Sequence, residues 1–441
     1  MRRNLRNLVF LLIFAIASPA AAGQLAEREV LSNDMVLLHA ERKSVPIVTV
    51  VLAIKAGSIA EQPAKAGLAY LTAALLTEGT QKRSSRDIGE AIEFVGGSLG
   101  ASAAADYATV SLSVLKKDVA LGFDLLSDIV LHPVFSEDEL KRKQRITRNW
   151  LIQQNEEPGT VASIAFSKAV YGEHPYGRQV QGTIESLDTI NRQDILDFHD
   201  TYYVPNNAIM SVAGDISREE LKTLLDRYFG DWKKKSVPPA SLPAVESGKV
   251  PRTVKISKDL TQANIILGHL GISREDPEYY AALVMNYILG GGGFASRLMD
   301  NIRDNRGLAY DVHSSFSASK YGGSFQAGLQ TKNDSANLAI EEILKEMERI
   351  RTEPVTDKEL EDAKSYLTGS FPLRIDSNSK IAGFNLAVEY YGLGLDYVDK
   401  YPAIINAVTK EDILRVAKKY LDTRNYVLVV VGDMEKAKLK Y

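Results

Sequence analysis

One pattern occurs twice in the chain, first as DILDFHDTYYVPNNAIMSVAGD at Asp194–Asp215 and again as DILRVAKKYLDTRNYVLVVVGD at Asp412–Asp433. A shift of 218 positions aligns the opening Asp-Ile-Leu, a tyrosine, an asparagine and the closing Gly-Asp without a gap. Each copy predicts a helix, a turn and an apolar strand that ends at glycine. The repeat therefore indicates that the chain contains two copies of one structural unit.

The segments around each copy predict strands and helices in pairs and runs, without strict β-α-β alternation. In the first half, Val45–Ile54 and Tyr107–Leu115 are typical of strands, and helical spacing predicts long helices at Glu137–Asn155 and Thr160–Val170. We therefore expect an α+β fold of two homologous domains, each a mixed, mainly antiparallel sheet with helices packed on one face. The expected domains are 27–232 and 251–441, joined by a proline-containing linker at 233–250.

The N-terminus has the pattern of a secretory signal peptide. Three arginines precede an apolar run at Leu8–Ala17, and three alanines end at Ala22, so residues 1–22 are expected to be removed on export. The run is too short to span a bilayer, and we expect no stable membrane insertion. No cysteine follows it, so the fold depends on its apolar core instead of disulfides. A periplasmic location fits this pattern.

Charge is nearly balanced along the chain. Its 53 basic and 56 acidic residues are interspersed and give a net charge of −3. Such a distribution creates no field suited to a polyanion. Nucleic acid is therefore not an expected partner.

A glycine-rich stretch, Leu289–Tyr321, carries the candidate site. The glycines at 290–293 end one helical pattern and open another, in which Arg303 occupies the last turn before Gly307. The chain then alternates as a strand, and one face would hold a set of side chains that includes Tyr310: Leu308, Tyr310, Val312, Ser314 and Phe316. Arg303 and Tyr310 can thus face the same space. Spacing alone also fits a helix-terminal arginine, a packed strand tyrosine and a simple glycine turn.

The setting GGGGFASRLMDNIRDNRGLAY resembles the C-terminal half of the pitrilysin/insulinase family of zinc metallopeptidases, the inverted zincins. His174–Ser217 and Gly369–Pro402 are also similar to this family, so the resemblance covers nearly the whole mature chain. It implies that Arg303 and Tyr310 line the active-site cavity opposite the metal and help to hold the substrate carbonyl. It also implies that Gly290, Gly291, Gly292 and Gly293 form a mobile loop that touches substrate.

The family's zinc motif, H-x-x-E-H, is degenerate in this chain. Its positions hold Tyr70, Ala73 and Ala74, so both histidines and the general-base glutamate are missing. The downstream region that would supply a carboxylate ligand contains no acidic residue from Arg148 until Glu156. No two of the six histidines have the spacing of a helical pair. Because zinc needs three or four converging donors, we expect no zinc in this chain.

Two functions fit this combination. In the first, the chain is inactive alone and is the metal-free subunit of a heteromeric periplasmic zinc metallopeptidase. A related H-x-x-E-H subunit would bring the zinc, the two would hydrolyse peptides as a heterodimer, and this chain would add Arg303, Tyr310 and half of the substrate chamber. In the second, it is a non-catalytic structural or peptide-binding relative, like the family-related core subunits of respiratory complexes. The retained Arg303 and Tyr310 favour the first function.

Overall fold

The structure is a computed structural model that describes residues 25–243, 245 and 252–441. The predicted signal peptide, residues 1–22, lies outside the described residues, as do residues 244 and 246–250 of the predicted linker. Residues 233–243 of that linker form neither helix nor strand.

The first half is built on one mixed sheet. Its strands are β1 (Glu27–Val30), β2 (Val36–Glu41), β3 (Ile47–Ile54), β4 (Ser98–Ala103), β5 (Ala108–Leu115) and β6 (Ala208–Gly214). Its helices are α1 (Leu68–Leu75), α2 (Ser85–Phe94), α3 (Val119–Leu131), α4 (Glu137–Gln154), α5 (Pro158–Tyr171), α6 (Ile184–Thr189), α7 (Arg192–Tyr202) and α8 (Arg218–Phe229). The strand order is β1-β2-β6-β3-β5-β4, in which β2 and β6 run parallel and the other neighbours antiparallel.

The second half repeats this plan. Its strands are β7 (Arg252–Ser257), β8 (Gln262–Leu270), β9 (Ala309–Ser319), β10 (Gly322–Lys332) and β11 (Val427–Gly432). Its helices are α9 (Tyr279–Asn286), α10 (Ala336–Thr352), α11 (Asp357–Gly369), α12 (Asn378–Tyr390), α13 (Tyr397–Ala407), α14 (Lys410–Tyr420) and α15 (Met434–Ala437), with two π-helical segments, π1 (Tyr287–Gly291) and π2 (Met299–Asn305). The strand order is β7-β11-β8-β10-β9, in which β7 and β11 run parallel.

The two sheets correspond strand by strand. The order β2-β6-β3-β5-β4 matches β7-β11-β8-β10-β9, and the parallel pair is equivalent in both. The repeated sequence pattern forms α7 with β6 and α14 with β11. Both helices start at a capping box, from Asn191 with Asp194 and from Thr409 with Asp412, because each cap satisfies backbone N–H groups of the first turn. The predicted α+β class with two related mixed sheets is confirmed.

Each half packs most of its helices on one face of its own sheet, where a large apolar core forms. The core of the first half includes Phe123 and Leu126 of α3, and that of the second includes Ile340 of α10 and Ile413 of α14. Burial of these apolar side chains is the main source of stability in a chain without disulfides. No helix among the described residues is both long and apolar enough to cross a membrane.

The opposite face of each sheet is covered by a helix from the other half, which the prediction of helices on one face did not include. Helix α5 of the first half packs Ala162, Phe166 and Val170 against Val429 and Val431 of β11. Helix α12 of the second half packs against β2, β3 and β6 through a second apolar cluster, which includes Leu38, Ala53, Ile209, Ile381 and Leu386. Each half therefore covers the outer face of the other half's sheet with one helix.

Candidate functional site

The glycine-rich stretch begins with a close approach between π1 and strand β9. A Cβ atom on Gly290 would lie 2.5 Å from Ser314 Oγ and 2.6 Å from the Ser314 backbone nitrogen, so a larger residue would push the two segments apart. Asn286 fixes the same contact, because its Nδ2 donates to the Ser314 carbonyl at 3.1 Å while Ser314 Oγ donates to Asn286 Oδ1 at 2.8 Å. Gly290 is thus buried within the scaffold of the site.

The other three glycines lie nearer the surface. Gly292 is half-buried, whereas Gly291 and Gly293 are exposed. Gly293 has a φ of +56°, a left-handed conformation that glycine adopts without steric cost. Contact between these glycines and a substrate stays a prediction.

An ion pair anchors the segment between the glycines and π2. Buried Arg297 donates from Nε to Glu359 Oε1 at 2.6 Å and from Nη2 to Glu359 Oε2 at 3.0 Å. Glu359 also closes the capping box of α11 with Thr356. Burial opposes ionisation of Glu359, but the hydrogen bonds from Arg297 and Thr356 outweigh it and lower its pKa to about 2. The segment is therefore tied to α11 by a bidentate, charge-assisted contact.

Segment π2 presents Arg303 beside two aromatic rings. Leu298, just before the segment, and Ile302 within it are fully buried and anchor the segment in the core. The Arg303 guanidinium carbon lies 4.8 Å from the ring centre of Phe294 and 5.7 Å from that of Tyr310, and Nη1 donates to Asp304 at 2.6 Å. Cation–π attraction to both rings thus holds the guanidinium in place. The structure brings Arg303 and Tyr310 together, and adds Phe294, which the sequence did not single out.

A β-bulge changes the direction of Tyr310. Val312 pairs with Leu329 and Ala309 with Thr331, so the single residue Gln330 lies opposite both Tyr310 and Asp311. Simple alternation predicted that Tyr310 shares the face of Val312, and this is wrong. Val312 is fully buried, whereas Tyr310 is 88% exposed, because the extra residue turns its side chain out of the core. Its hydroxyl forms no hydrogen bond with the residues that the structure describes.

Tyr310 lines a cavity of about 440 Å³ that lies between the start of α5 and strands β8, β9 and β10. Asp311 and His313 of β9 line it as well, with His313 Nδ1 3.0 Å from Asp311 Oδ2. Four amide side chains complete the polar wall: Gln262, Asn264, Gln326 and Gln330. The sequence did not single out these amides as candidates, although their alternation with apolar residues in β8 and β10 is a signal that could have located them.

The degenerate motif positions lie on α1 and do not form a zinc site. Ala73 is buried in the core of the first half, Ala74 carries no donor atom, and Tyr70 offers a single phenolic oxygen. The next acidic residue, Glu78, is engaged by Arg142 at 2.5 Å and Lys143 at 2.6 Å. Among the described residues, no three histidine, aspartate or glutamate side chains cluster so that they could hold a metal. Zinc therefore does not fit the donors present at these positions.

Two family models match the two halves of the chain. The family model described as insulinase (peptidase family M16) matches residues 36–184, and the one described as peptidase M16 inactive domain matches residues 189–367. The Bacillus subtilis protein named uncharacterized zinc protease YmxG is 28% identical over 414 residues, which cover 92% of this chain and 98% of that protein.

Two solved structures also resemble this chain over nearly their whole length. The crystal structure of a peptidase M16 inactive domain from Pseudomonas fluorescens is 29% identical, with a TM-score of 0.86 over 92% of this chain and 98% of that chain. A protease from Helicobacter pylori shares the fold at 21% identity, with a TM-score of 0.86 over 92% and 99% of the two chains.

Proposed function

The chain belongs to the insulinase family, peptidase family M16, and on this premise we propose that it is the metal-free subunit of a heteromeric zinc metallopeptidase. A related subunit with an intact H-x-x-E-H motif would hold the zinc and hydrolyse peptides. This chain would add Arg303, Tyr310 and half of the substrate chamber. The N-terminal pattern of residues 1–22 supports a periplasmic location for the complex.

One observation carries the proposal: Arg303 lies beside Tyr310, and Tyr310 lines an open cavity instead of packing into a hydrophobic core. A tyrosine on a sheet usually contributes packing, yet Tyr310 is 88% exposed and Phe294 beside Arg303 is 72% exposed. The bulge in β9 and the two aromatic contacts to Arg303 keep the pair in this arrangement. A protein that acts only as a scaffold has no need of these features.

In the proposed complex, the partner's zinc site would catalyse hydrolysis. This chain would bind the substrate and polarise its carbonyl group. The Tyr310 hydroxyl would donate a hydrogen bond to the scissile carbonyl oxygen, where negative charge develops in the transition state. The described hydrogen bond of Arg303 to Asp304 uses Nη1, so the remaining N–H groups can hold a neighbouring peptide carbonyl. Contact with the Arg303 guanidinium would hold the Tyr310 ring before substrate binds, which would lower the cost of reorganisation.

The alternative is a non-catalytic structural or peptide-binding relative of the family. The positions Tyr70, Ala73 and Ala74 favour it, because a scaffold would also do without zinc donors. In that case the cavity beside Tyr310 would still bind peptide, but the Tyr310 hydroxyl would have no effect on turnover. The two functions therefore differ in whether removal of the Tyr310 hydroxyl lowers the rate of peptide cleavage.

The decisive experiment is to replace Tyr310 by phenylalanine in the reconstituted complex. The partner to test is a related H-x-x-E-H protein of similar length, sought first among the genes beside this one. Loss of one preorganised oxyanion donor should lower kcat by about 10² to 10³-fold, with the complex still assembled as judged by size. Tyr366→Phe is the matched control, since Tyr366 is also an exposed tyrosine of the second half, and it should cleave at the unmodified rate. Equal rates for the two variants would assign the chain to the scaffold class.

Arg303→Lys tests the second donor in the same assay. Lysine keeps the positive charge but loses the planar fork of the guanidinium, so we expect weaker peptide binding and slower cleavage without loss of the complex. An unchanged KM and kcat would remove Arg303 from the proposed site.

The metal-free character of the chain has its own measurement. Because zinc does not fit the motif positions, protein purified without chelator should contain no stoichiometric zinc and should cleave no peptide alone. One tightly held zinc per chain together with peptidase activity would contradict the proposal.

N-terminal sequencing of the exported protein tests the location, and Gly23 is the expected first residue.

A further inference from the structure

The face of the second sheet beneath α5 changes from apolar to polar across its width. Where α5 packs, Phe166 lies against the valines of β11. Toward β10 and β9 the same face carries Asn264, Gln326 and Gln330. Asn264 and Gln326 are half-buried and Gln330 is exposed, so this half of the face is open to solvent and accessible to a ligand.

Strand register places the amides as neighbours. Asn264 of β8 lies directly opposite Gln330 of β10, and Gln326 lies on the same face of β10 four residues away. Between them, Gly328 pairs with His313 of β9 and leaves the floor of the cavity without a side chain. The result is one polar surface around a space of about 440 Å³, with Tyr310 in its wall.

On the equivalent face of the first sheet, the polar side chains contact one another. There, Ser102 Oγ lies 3.1 Å from Thr109 Oγ1, and Thr49 Oγ1 lies 3.5 Å from Ser113 Oγ, so short hydroxyl side chains pair with one another across β3, β5 and β4. In the second sheet, the amides of Asn264, Gln326 and Gln330 form no hydrogen bond with any described residue. Each amide keeps both donors and acceptors available for a ligand.

We propose that this cavity is a subsite that accepts a neutral polar side chain, an amide or a hydroxyl, of the bound peptide. The inference rests on the proposed function, because Tyr310 joins the cavity to the scissile carbonyl. An amide or hydroxyl group of the ligand can exchange hydrogen bonds with the three amides in both directions. An apolar side chain would strip water from them without replacing its hydrogen bonds, and a carboxylate would lie near Asp311.

The cavity also has suitable dimensions. Ligand sites in proteins commonly enclose about 300 to 1,000 Å³, and a volume of about 440 Å³ holds one long side chain with the peptide units that flank it. Gly159 and Ser163 of α5 form the opposite wall, so the first half of the chain contributes to the subsite as well.

Binding to the isolated mature chain tests the subsite without any partner. The probes are acetylated, amidated alanine heptapeptides whose central residue is Gln, its near-isostere Met, or Glu, and affinity is measured by calorimetry. The Gln peptide should bind about tenfold more tightly than the Met peptide, because the Met side chain would displace water from the amides without replacing its hydrogen bonds. The Glu peptide should bind more weakly than the Gln peptide.

Variants locate the preference on the three amides. Gln326→Met and Asn264→Leu keep side-chain volume and should abolish the preference for the Gln peptide. Gln330→Met changes an exposed residue, so it should keep the fold and still reduce the preference. Gln81→Met is the matched control, since Gln81 is an exposed glutamine in the loop after α1, and it should leave the preference unchanged.

The outcomes separate the subsite from the proposed function. Equal affinity for the Gln and Met peptides, tightest binding of the Glu peptide, or a preference that survives all three amide substitutions would overturn the subsite. None of these results would affect the Tyr310→Phe comparison in the complex. A preference that disappears as expected, in a chain that supports no cleavage with its partner, would retain the subsite and reject the catalytic role.

Discussion

At the scale of single residues, Gly290 sets how closely the candidate site approaches its supporting strand. Replacement by alanine places a methyl group against the Ser314 backbone nitrogen, which cannot rotate away as a side chain could. We expect Gly290→Ala to lower the free energy of unfolding by roughly 1–3 kcal/mol, the usual cost of overpacking. Urea denaturation measures it.

The control for this prediction is another glycine with free space. Gly383 lies inside α12, and a Cβ there would meet nothing within 4 Å. Gly383→Ala should therefore be neutral or stabilising by up to about 1 kcal/mol, because alanine is the better helix former. If both alanine variants unfold at the same urea concentration, steric contact with Ser314 is not what requires glycine at 290.

Single residues also show how far the sequence could predict the site. The meeting of Arg303 with Tyr310 follows from their positions, at the end of one segment and at the start of the next strand. The outward turn of Tyr310 does not, because a bulge breaks the two-residue period and no local sequence feature marks the shift. The contact of Phe294 with Arg303 could not be predicted for a similar reason, since it depends on the path of the chain through the glycine turn.

At the scale of elements, the contact between Arg297 and α11 holds π2 in position. Arg297→Met removes both hydrogen bonds and leaves the partly buried Glu359 carboxylate without its main partner. We expect a loss of roughly 3 kcal/mol in unfolding free energy at pH 7, as for other broken buried pairs. Denaturant unfolding of the variant provides this value.

The same variant should alter the pH dependence of stability. In the folded protein the pKa of Glu359 is about 2, below its ordinary value, so its contribution is full above about pH 4.5 and declines as the pH falls toward 2. The destabilisation by Arg297→Met should thus be smaller at pH 3 than at pH 7. Arg86→Met, which removes an exposed pair with Glu90, should cost below about 1 kcal/mol. A pH-independent effect would assign the loss to packing.

The covering of each sheet by a helix of the other half is an element-scale feature that the sequence could not predict. The spacing of apolar residues in Thr160–Val170 predicted that a helix forms, and α5 confirms it. An apolar stripe does not specify which of two similar sheets it covers, and the repeat makes both sheets plausible targets. The choice depends on chain connectivity and on the match between Phe166 and Gly268, where a Cβ would lie 2.8 Å from the ring.

At the scale of the whole molecule, polar contacts join the halves in addition to these two covering helices. Arg28 of β1 forms a bidentate ion pair with Glu389 of α12, with both distances 2.9 Å. Near the β4–β5 and β9–β10 turns, the Tyr176 hydroxyl donates to Asp106 at 2.5 Å and accepts from the Tyr321 backbone at 3.4 Å. The two turns thus meet around one buried carboxylate.

The stability of this junction should depend on pH through Asp106. Burial raises the pKa of Asp106, while the hydrogen bonds from Tyr176 and the Lys320 backbone, together with the Lys320 charge, oppose the rise. A raised pKa means that the protonated form is favoured on folding. The stabilising contribution is present below the ordinary aspartate pKa and is lost as the pH rises through the raised value. Ionised Asp106 therefore weakens the junction toward neutral pH.

Asp106→Asn should remove this loss, because asparagine stays neutral and its oxygen still accepts from Tyr176. We expect the variant to gain stability relative to the unmodified chain as the pH rises from 4 to 7, measured by urea unfolding at each pH. At pH 7, hydrogen exchange at the β9–β10 turn should be slower in the variant than in the unmodified chain, since that turn belongs to the other half. Asp231→Asn, which neutralises an exposed aspartate, should show neither change. A stability difference that stays constant with pH would show that ionisation of Asp106 does not control how tightly the two halves are joined.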